Sequence, residues 1–211
     1  IVDGKKPHQK PVSIGKVDID PMDLPQTASV ISQQVMRDQQ VNRLSDVVKN
    51  VNGVYLSTTR ASTQENFSAR GYSMGANNMF KNGARINTGS MPEMSSLERV
   101  EVLKGSAAIL YGNVAPGGIV NMITKQPKFN HGGEVAVRAG SYGLLKPSFD
   151  IYGPVSGSVA YRVNGTYETA DSYRDVYPEA LEPVFQAYGL ARGRQGRVLV
   201  VAGVPAERSQ A

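Results

Sequence analysis

The side chains that could perform covalent chemistry are few. The 211 residues include two histidines, His8 and His131, and no cysteine. A histidine metal centre needs more ligands at close spacing, and a thiolate centre, nucleophile or redox pair needs cysteine. A Ser-His-Asp site is arithmetically possible, but both histidines adjoin segments that contain Pro or Gly. We therefore expect no enzyme activity and no metal site, and we interpret both histidines as surface residues.

A glycine-rich loop at residues 112–118 (GNVAPGG) superficially suggests a phosphate cradle. A P-loop needs Lys followed by Ser or Thr after its last glycine, and this loop lacks that pair. Glycine also permits tight turns and the close approach of another surface. We therefore expect a packed structural turn formed by Tyr111, Gly112, Gly117 and Gly118.

Composition and charge exclude other classes of protein. Lys and Arg number 23 against 18 Asp and Glu, which gives a net charge of +5. No basic run is longer than Lys5-Lys6, so we interpret the charge as a mildly basic surface and expect no nucleic-acid partner. The sequence contains no run of 18 apolar residues, so we predict no transmembrane helix. The chain begins without Met or an export leader, so we expect a mature form or an excised piece.

The elements that would position functional residues begin at Leu24. Residues 1–23 contain three prolines and little periodicity, which predicts a flexible N-terminal arm. A strand is predicted at 28–31, followed by a helix that Ser32 caps and a second helix that Asn42 caps. The second helix carries a buried stripe at 3–4 residue spacing, made by Leu44, Val47, Val48 and Val51.

Short strands and tight turns follow. We predict one strand over 67–72, a hairpin around Asn82-Gly83, and a strand over 99–103 with one buried face and a second face that carries Arg99 and Glu101. Residues 106–111 are predicted to form a short helix and 119–124 a strand. Three segments beyond Pro127 alternate with period two, at 134–139, 147–152 and 158–168. Alternation alone fits either a β-barrel wall or a soluble sheet.

The last part of the chain differs in composition. Residues 171–211 contain no Asn and no Lys, although both are common before them. We interpret 176–211 as an atypical tail that is foreign to the fold through truncation or a shifted reading frame. A divergent native loop is the alternative.

Four ordered stretches resemble the plug domain of TonB-dependent outer-membrane receptors, closest to the ferric-siderophore class. They are 24–31 (LPQTASVI); 44–54 (LSDVVKNVNGV); 67–72 (FSARGY) with 81–85 (KNGAR); and 97–105 (LERVEVLKG), which continues into 110–121 (LYGNVAPGGIVN) and 124–127 (TKQP). Segments 140–142, 150–154 and 161–168 resemble the first barrel strands of the same family.

The resemblance implies an α+β fold, with a small mixed sheet and short helices in a plug domain at 24–130. It places the first strands of an incomplete outer-membrane β-barrel at 131–175. It also implies a gated transporter that binds a ferric siderophore or similar chelate and performs no covalent chemistry. No cofactor is implied, because iron enters only inside the ligand. The implied partner is the energy-coupling protein TonB, and the implied location is the outer membrane of a Gram-negative bacterium.

Roles for individual residues follow from the same resemblance. An arginine such as Arg70 would suit an oxygen-rich chelate, although a structural arginine is the alternative. The expected ligand contacts in apical loops are Arg70, Tyr72, Met74, Asn77, Asn78, Arg85, Asn87, Met91 and Met94. The expected contacts between plug and barrel are Arg99, Glu101 and Lys104, with solvated strand charges as the alternative. The expected structural turns add Gly71 and Gly105 to the four residues of the glycine loop.

Two departures from the family pattern matter. Only Ile1-Val2 precede Asp3-Gly4, where the family carries a coupling segment rich in Thr and Val. A receptor barrel of about 22 strands of roughly 10 residues needs more residues than this whole chain. A free-standing soluble module that binds a ligand without transport is therefore kept as the second hypothesis.

Overall fold

A computed structural model describes residues 12–14, 17–19, 27–60, 64–86, 93–105, 111–169 and 184–191. The chain divides into two compact units, residues 1–124 and 125–211. No described helix combines the length and the apolar character that crossing a bilayer requires.

The first unit contains ten strands, two short α-helices and two 3₁₀ turns in its described part. The strands are β1 (Val12–Ile14), β2 (Val17–Ile19), β3 (Thr27–Ser32), β4 (Val54–Arg60), β5 (Gln64–Ala69), β6 (Tyr72–Met74), β7 (Met79–Lys81), β8 (Ala84–Arg85), β9 (Leu97–Lys104) and β10 (Gly118–Thr124). The helices are α1 (Gln33–Asp38) and α2 (Leu44–Val48), and the 3₁₀ turns are Ala76–Asn78 and Met94–Ser96.

The centre of the first unit is a five-stranded mixed sheet in the order β3-β9-β10-β7-β8. Only β10 and β7 run parallel; the other neighbours are antiparallel. The main core covers one face with Val100, Val102 and Met122. A smaller cluster around Phe80, Leu103 and Ile119 covers part of the other face. Strand β9 is therefore enclosed on both sides, which corrects the expectation of one buried face only.

Polar side chains accept hydrogen bonds from backbone amides at the start of both helices, but one predicted N-cap residue is wrong. The Ser32 hydroxyl accepts a hydrogen bond from the Val35 amide, as expected of an N-cap. The predicted cap at Asn42 is wrong, because Arg43 occupies that position before α2. The Asp46 carboxylate reaches back and accepts from the amides of Asn42 and Arg43. Asp46, at the third position of the helix, thus accepts from the backbone of the capping residue, as the acidic member of a capping box does.

Strands β4, β5 and β6 form a separate three-stranded antiparallel sheet. The prediction of one strand over 67–72 is wrong, because the chain reverses at Arg70 and Gly71, where φ is 53° and 81°. Tyr72 therefore begins β6 and pairs with Ala69. The hairpin prediction at Asn82-Gly83 is confirmed by positive φ at both residues and by the pairing of β7 with β8.

The second unit is an antiparallel sheet of four strands in sequence order: β11 (Gly132–Ala139), β12 (Leu145–Ser156), β13 (Val159–Thr166) and β14 (Val184–Ala191). The alternating segment predicted at 147–152 forms a longer strand than expected, since β12 runs from Leu145 through Gly153 to Ser156. The imidazole of His131 occupies the space where a side chain at 153 would lie, so glycine fits there within the strand. Strand β14 lies inside the supposed atypical tail and pairs with β13 along its whole length.

The fold class is confirmed: a mixed sheet with few short helices, followed by antiparallel strands. The predicted helix at 106–111 lies largely outside the described residues, as do residues 1–11 and the tail beyond Ala191. The predicted flexible arm over 1–23 did not anticipate that β1 and β2 within it pair as antiparallel strands. The predicted domain boundaries at 23, 130 and 175 remain predictions.

Candidate functional site

Two loops of the first unit enclose an open depression of about 530 Å³. One runs from β6 into the 3₁₀ turn Ala76–Asn78 and contributes Ser73, Gly75 and Asn77; the other is the glycine-rich loop, residues 112–118. Its lining is rich in amide and hydroxyl groups and carries no charge: Ser73, Gly75, Asn77, Asn78, Asn113, Val114, Ala115 and Pro116. We call it the loop depression. Its chemistry suits reversible binding of a polar ligand.

Asn78 connects the two loops through hydrogen bonds. Its side chain is 1% exposed. The Nδ2 group donates to the carbonyls of Ala115 and Gly118, and Oδ1 accepts from the Ala115 amide at 3.2 Å. Both N–H groups of this amide are therefore occupied inside the protein. Asn78 thus shapes the depression from beneath, and direct contact of Asn78 with ligand stays a prediction.

Glycine is required where the 112–118 loop meets its neighbours. A Cβ on Gly118, where φ is 130°, would lie 2.1 Å from the Leu103 carbonyl oxygen. A Cβ on Gly117 would lie 2.9 Å from the Ala69 carbonyl oxygen. Backbone atoms cannot move aside as a flexible side chain can, so only glycine lets the loop pack this closely against β9 and the β5–β6 hairpin. The predicted role of these two glycines in a packed turn agrees with this geometry.

Arg85 and two aromatic rings hold the other side of the same loop. The Arg85 guanidinium donates to the Asn113 carbonyl at 2.7 Å and lies 5.7 Å from the Phe80 ring centroid. The Phe80 and Tyr111 rings pack edge to face at 4.7 Å. Arg85 is exposed, so part of its guanidinium remains accessible to a ligand.

The other predicted ligand contacts separate into distinct groups. Arg70 and Tyr72 are exposed, and the Arg70 guanidinium reaches toward Gly105. Met74 and Met94 are 1% and 6% exposed and belong to the hydrophobic core. The expectation that these two thioethers meet a ligand is corrected by their burial, because an apolar side chain at a turn also fills a core. Asn87 and Met91 lie outside the described residues.

Arg99 and Glu101 form a buried ion pair within β9. Glu101 is 0% exposed, and its Oε1 accepts from Arg99 Nε at 2.8 Å. Its Oε2 accepts from Asn121 Nδ2 at 3.2 Å across the strand pair. The alternative of solvated strand charges is therefore wrong. Lys104, at the end of the same strand, donates to the Asn52 carbonyl at 2.7 Å.

Residues 71–75 (GYSMG) match the Gly-x-Ser-x-Gly pattern of a nucleophile elbow, a signal that sequence reasoning missed. That elbow places serine at a sharp turn between a strand and a helix. Ser73 instead lies in the middle of β6, paired with Ser68 of β5. The pattern is therefore a coincidence of hairpin residues. No cluster of metal-ligating side chains exists among the described residues either.

The second unit has two chemically opposite faces. The side chains of Val135, Val137, Leu145, Ile151 and Val155 alternate along β11 and β12 and are all exposed, with Val135 at 77%. The opposite face of β12 and β13 buries polar and charged groups: Lys146, Asp150, Arg162, Asn164 and Thr166. A soluble sheet normally has the reverse arrangement, with the apolar face covered.

Comparison with known proteins agrees with this architecture. Residues 20–119 match the model of the TonB-dependent receptor plug domain. The chain is 33% identical over 175 residues to the ferrioxamine B receptor of Salmonella typhimurium strain SL1344, covering 77% of this chain and 25% of that receptor. It is 30% identical over 165 residues to the ferripyoverdine receptor of Pseudomonas aeruginosa, covering 74% and 20%. The chain thus spans about a quarter or less of these relatives.

A solved structure extends the similarity to the fold. The pyoverdine outer membrane receptor of Pseudomonas aeruginosa PAO1, bound to pyoverdine, superposes with a TM-score of 0.79 at 25% identity. The match covers 96% of this chain and 31% of that chain. A complex of FpvAI with pyocin S2 gives a TM-score of 0.74 at 28% identity, covering 85% and 25%.

Proposed function

Because residues 20–119 form a TonB-dependent receptor plug domain, we propose that this chain is the gate portion of an outer-membrane receptor that takes up ferric siderophores. The plug blocks the pore at rest, binds the iron chelate with its loops and is remodelled when the receptor is energised. Iron arrives as part of the ligand. The work is binding and conformational switching, without covalent chemistry.

The observation that carries this proposal is the inverted sheet of the second unit. Its exposed face is apolar and its opposite face is polar and charged. This is the pattern of a transmembrane barrel wall, in which lipid-facing and lumen-facing residues alternate along each strand. A sheet of this kind in the same chain as a plug domain supports a receptor of the outer membrane of a Gram-negative bacterium.

The loop depression supports the predicted class of ligand. Siderophores present carbonyl, hydroxyl and amide groups around the metal, and Asn77 and Asn113 offer amide donors and acceptors at the mouth of the depression. The Arg70 and Arg85 guanidinium groups add fixed cationic donors suited to an oxygen-rich, anionic chelate. We infer that these exposed residues contact ligand and that Asn78 positions the loop for them.

The buried pair in β9 supports a role in coupling. An ion pair that is held inside a sheet costs free energy to separate, so it favours one arrangement of β9 over others. We propose that Arg99 and Glu101 keep the resting plug in register, and that Lys104 contacts the barrel wall. The energising partner is TonB, which acts from the periplasmic side.

The second hypothesis, a free-standing soluble binding module, gains no comparable support. The relatives that match are named receptors, of which this region forms a small part. The apolar side chains exposed on β11 and β12 would favour aggregation of such a module in water.

The test replaces the plug of the ferripyoverdine receptor of Pseudomonas aeruginosa with residues 20–124 of this chain. A barrel without any plug leaves an open pore that admits large antibiotics. We expect the chimaera to restore exclusion of vancomycin to the level of the native receptor. Heat-modifiable migration in electrophoresis serves as the control that the barrel is folded in the membrane.

Two variants sharpen the test. Gly118→Val should make the chimaera leaky, because a side chain at 118 would collide with the Leu103 carbonyl and displace the loop. Gly75→Val provides the matched control, since the backbone of Gly75 is extended and a Cβ there would meet only the Ser73 hydroxyl oxygen, at 4.0 Å. A folded barrel that stays as leaky with the transplanted plug as without one would refute the proposal.

A further inference from the structure

A buried ionic cluster joins residues 125 and 126, which follow β10, to strands β12 and β13. This cluster has no role in the function proposed above. The cluster consists of Lys125, Asp150 and Arg162, which are 5%, 7% and 5% exposed. Lys125 directly follows the last residue of β10. Asp150 lies on β12 and Arg162 on β13. We call these three residues the anchor cluster.

The carboxylate of Asp150 is the centre of the cluster. Arg162 binds it with two nitrogens, Nε to Oδ1 at 2.8 Å and Nη2 to Oδ2 at 2.6 Å. Lys125 Nζ binds Oδ2 at 2.7 Å. A planar guanidinium that forms two parallel hydrogen bonds to a carboxylate is fixed in direction as well as in distance.

Arg162 also grips the backbone of the same segment. Its Nη1 donates to the Gln126 carbonyl at 2.9 Å, which joins residues 36 positions apart. The Tyr152 ring lies beside the guanidinium, with its centroid 4.8 Å from the central carbon. Residues 125 and 126 are thus held by a side chain and by a backbone group to two paired strands.

This arrangement differs from the other ion pairs of the second unit. Lys146 and Glu168 also pair closely, at 2.8 Å, but they join strand β12 to the residues just after β13. The anchor cluster, in contrast, connects the segment before β11 to the sheet. Buried charges add conformational specificity more readily than stability, so a holding role is physically reasonable.

We propose that the anchor cluster fixes the chain at the exit of the plug domain, so that a pulling force on the plug is stopped at Thr124 and does not reach β11. The inference rests on the proposed function only for the origin of the force. Without the cluster, the seven residues 125–131 would extend by roughly 24 Å before the load reached Gly132. With it, the plug can be remodelled while the wall strands keep their register.

The test pulls on the 211-residue chain in detergent micelles with optical tweezers. One handle is attached at residue 1 and the other at a Ser156→Cys substitution, which labels uniquely because the chain has no cysteine. We expect the plug to unfold first. A separate step of roughly 24 Å should follow, at its own force, when the anchor cluster breaks and before β11 detaches.

Two variants and one control decide the outcome. Asp150→Asn should remove the separate step, but it leaves two buried cations without their carboxylate and could prevent folding. Lys125→Met keeps the pair of Asp150 with Arg162 and should lower the force of that step by at least half. Lys146→Met removes a buried lysine of similar exposure on the same sheet and should leave the step unchanged.

The proposal fails if the native chain passes from plug unfolding to loss of β11 with no intermediate step. It also fails if Lys125→Met and Lys146→Met change the step equally, because the cluster would then support only the sheet. Neither result would affect the antibiotic-exclusion test, so failure of the anchor and failure of the gate can be told apart.

Discussion

Replacing Glu101 by glutamine should destabilise the plug strongly and selectively. The substitution keeps the shape of the side chain but removes its charge at a position that is 0% exposed. Arg99, whose side chain is only 11% exposed, then loses the carboxylate 2.8 Å away. Leaving one member of a buried ion pair without its partner costs about 3–5 kcal/mol. Because the glutamine oxygen can still accept hydrogen bonds, we expect about 3 kcal/mol for Glu101→Gln.

The assay is urea unfolding of the whole chain, read by pulsed hydrogen exchange in peptides from β9 and β10. These peptides report on the first unit directly. With a slope of about 2 kcal/mol per molar urea, a loss of about 3 kcal/mol lowers the unfolding midpoint by about 1.5 M. A midpoint change below about 0.5 M would refute the view that Glu101 is sealed within the sheet.

A double variant separates the pair from its surroundings. Arg99→Met with Glu101→Gln removes both charges and keeps a side-chain oxygen at position 101 that can accept from Asn121 Nδ2. No charge then remains buried without its partner, so we expect a midpoint within about 0.5 M of the native chain. If the double variant is as unstable as Glu101→Gln, the lost stability does not come from leaving Arg99 without a carboxylate. That result would refute the reasoning.

Three further predictions concern the loops and the first helices. Asn78→Ala removes three hydrogen bonds and leaves their buried partners at Ala115 and Gly118 unsatisfied. It should therefore lower the free energy of unfolding in urea by about 2–4 kcal/mol. Asn77 is exposed, so Asn77→Ala should lower it by less than about 0.5 kcal/mol. In equilibrium dialysis of the chain with radiolabelled ferrioxamine B, Asn77→Ala should weaken binding while Asn130→Ala, another exposed asparagine, should not; equal effects would contradict the ligand assignment. Burial raises the pKa of Asp46, but hydrogen bonds from Lys49 and from the amides of Arg43 and Asn42 outweigh it and lower the pKa below its usual value. Asp46 therefore contributes stability above about pH 3.9 that is lost as the pH falls through the lower folded pKa, so urea midpoints of Asp46→Asn should depend less on pH between 5 and 3 than those of the native chain.

Local structure was predictable wherever a short-range rule decides it. Ser32 caps its helix because its hydroxyl reaches the amide three residues on, and Asn82-Gly83 turns the chain because both residues tolerate positive φ. The failures have the same local character. Arg43, not Asn42, precedes α2, and the Asp46 carboxylate reaches back to the amides of Asn42 and Arg43. Arg70 adopts a left-handed conformation that is rare for arginine.

The candidate site was only partly predictable. Loops rich in Asn, Met and Gly could be named in advance, but not which members face outward. Met74, Met94 and Asn78 turned inward because neighbouring strands cover them. Asn113 and Ser73, by contrast, line the loop depression although no prediction included them. A clue for Asn113 was its place next to the glycine that opens the 112–118 loop.

The amino-acid sequence by itself determined the fold class and the family, because these depend on periodicity and on motifs that lie within a few residues of one another. Tertiary structure alone decided which polar residues became buried partners. Glu101 meets Asn121, and Asp150 meets Lys125 and Arg162, through pairings that join positions 12 to 25 residues apart. A charged side chain on a strand costs little free energy where the strand faces water and much where the sheet is covered. Only the elements that pack against the strand determine whether its charges are buried.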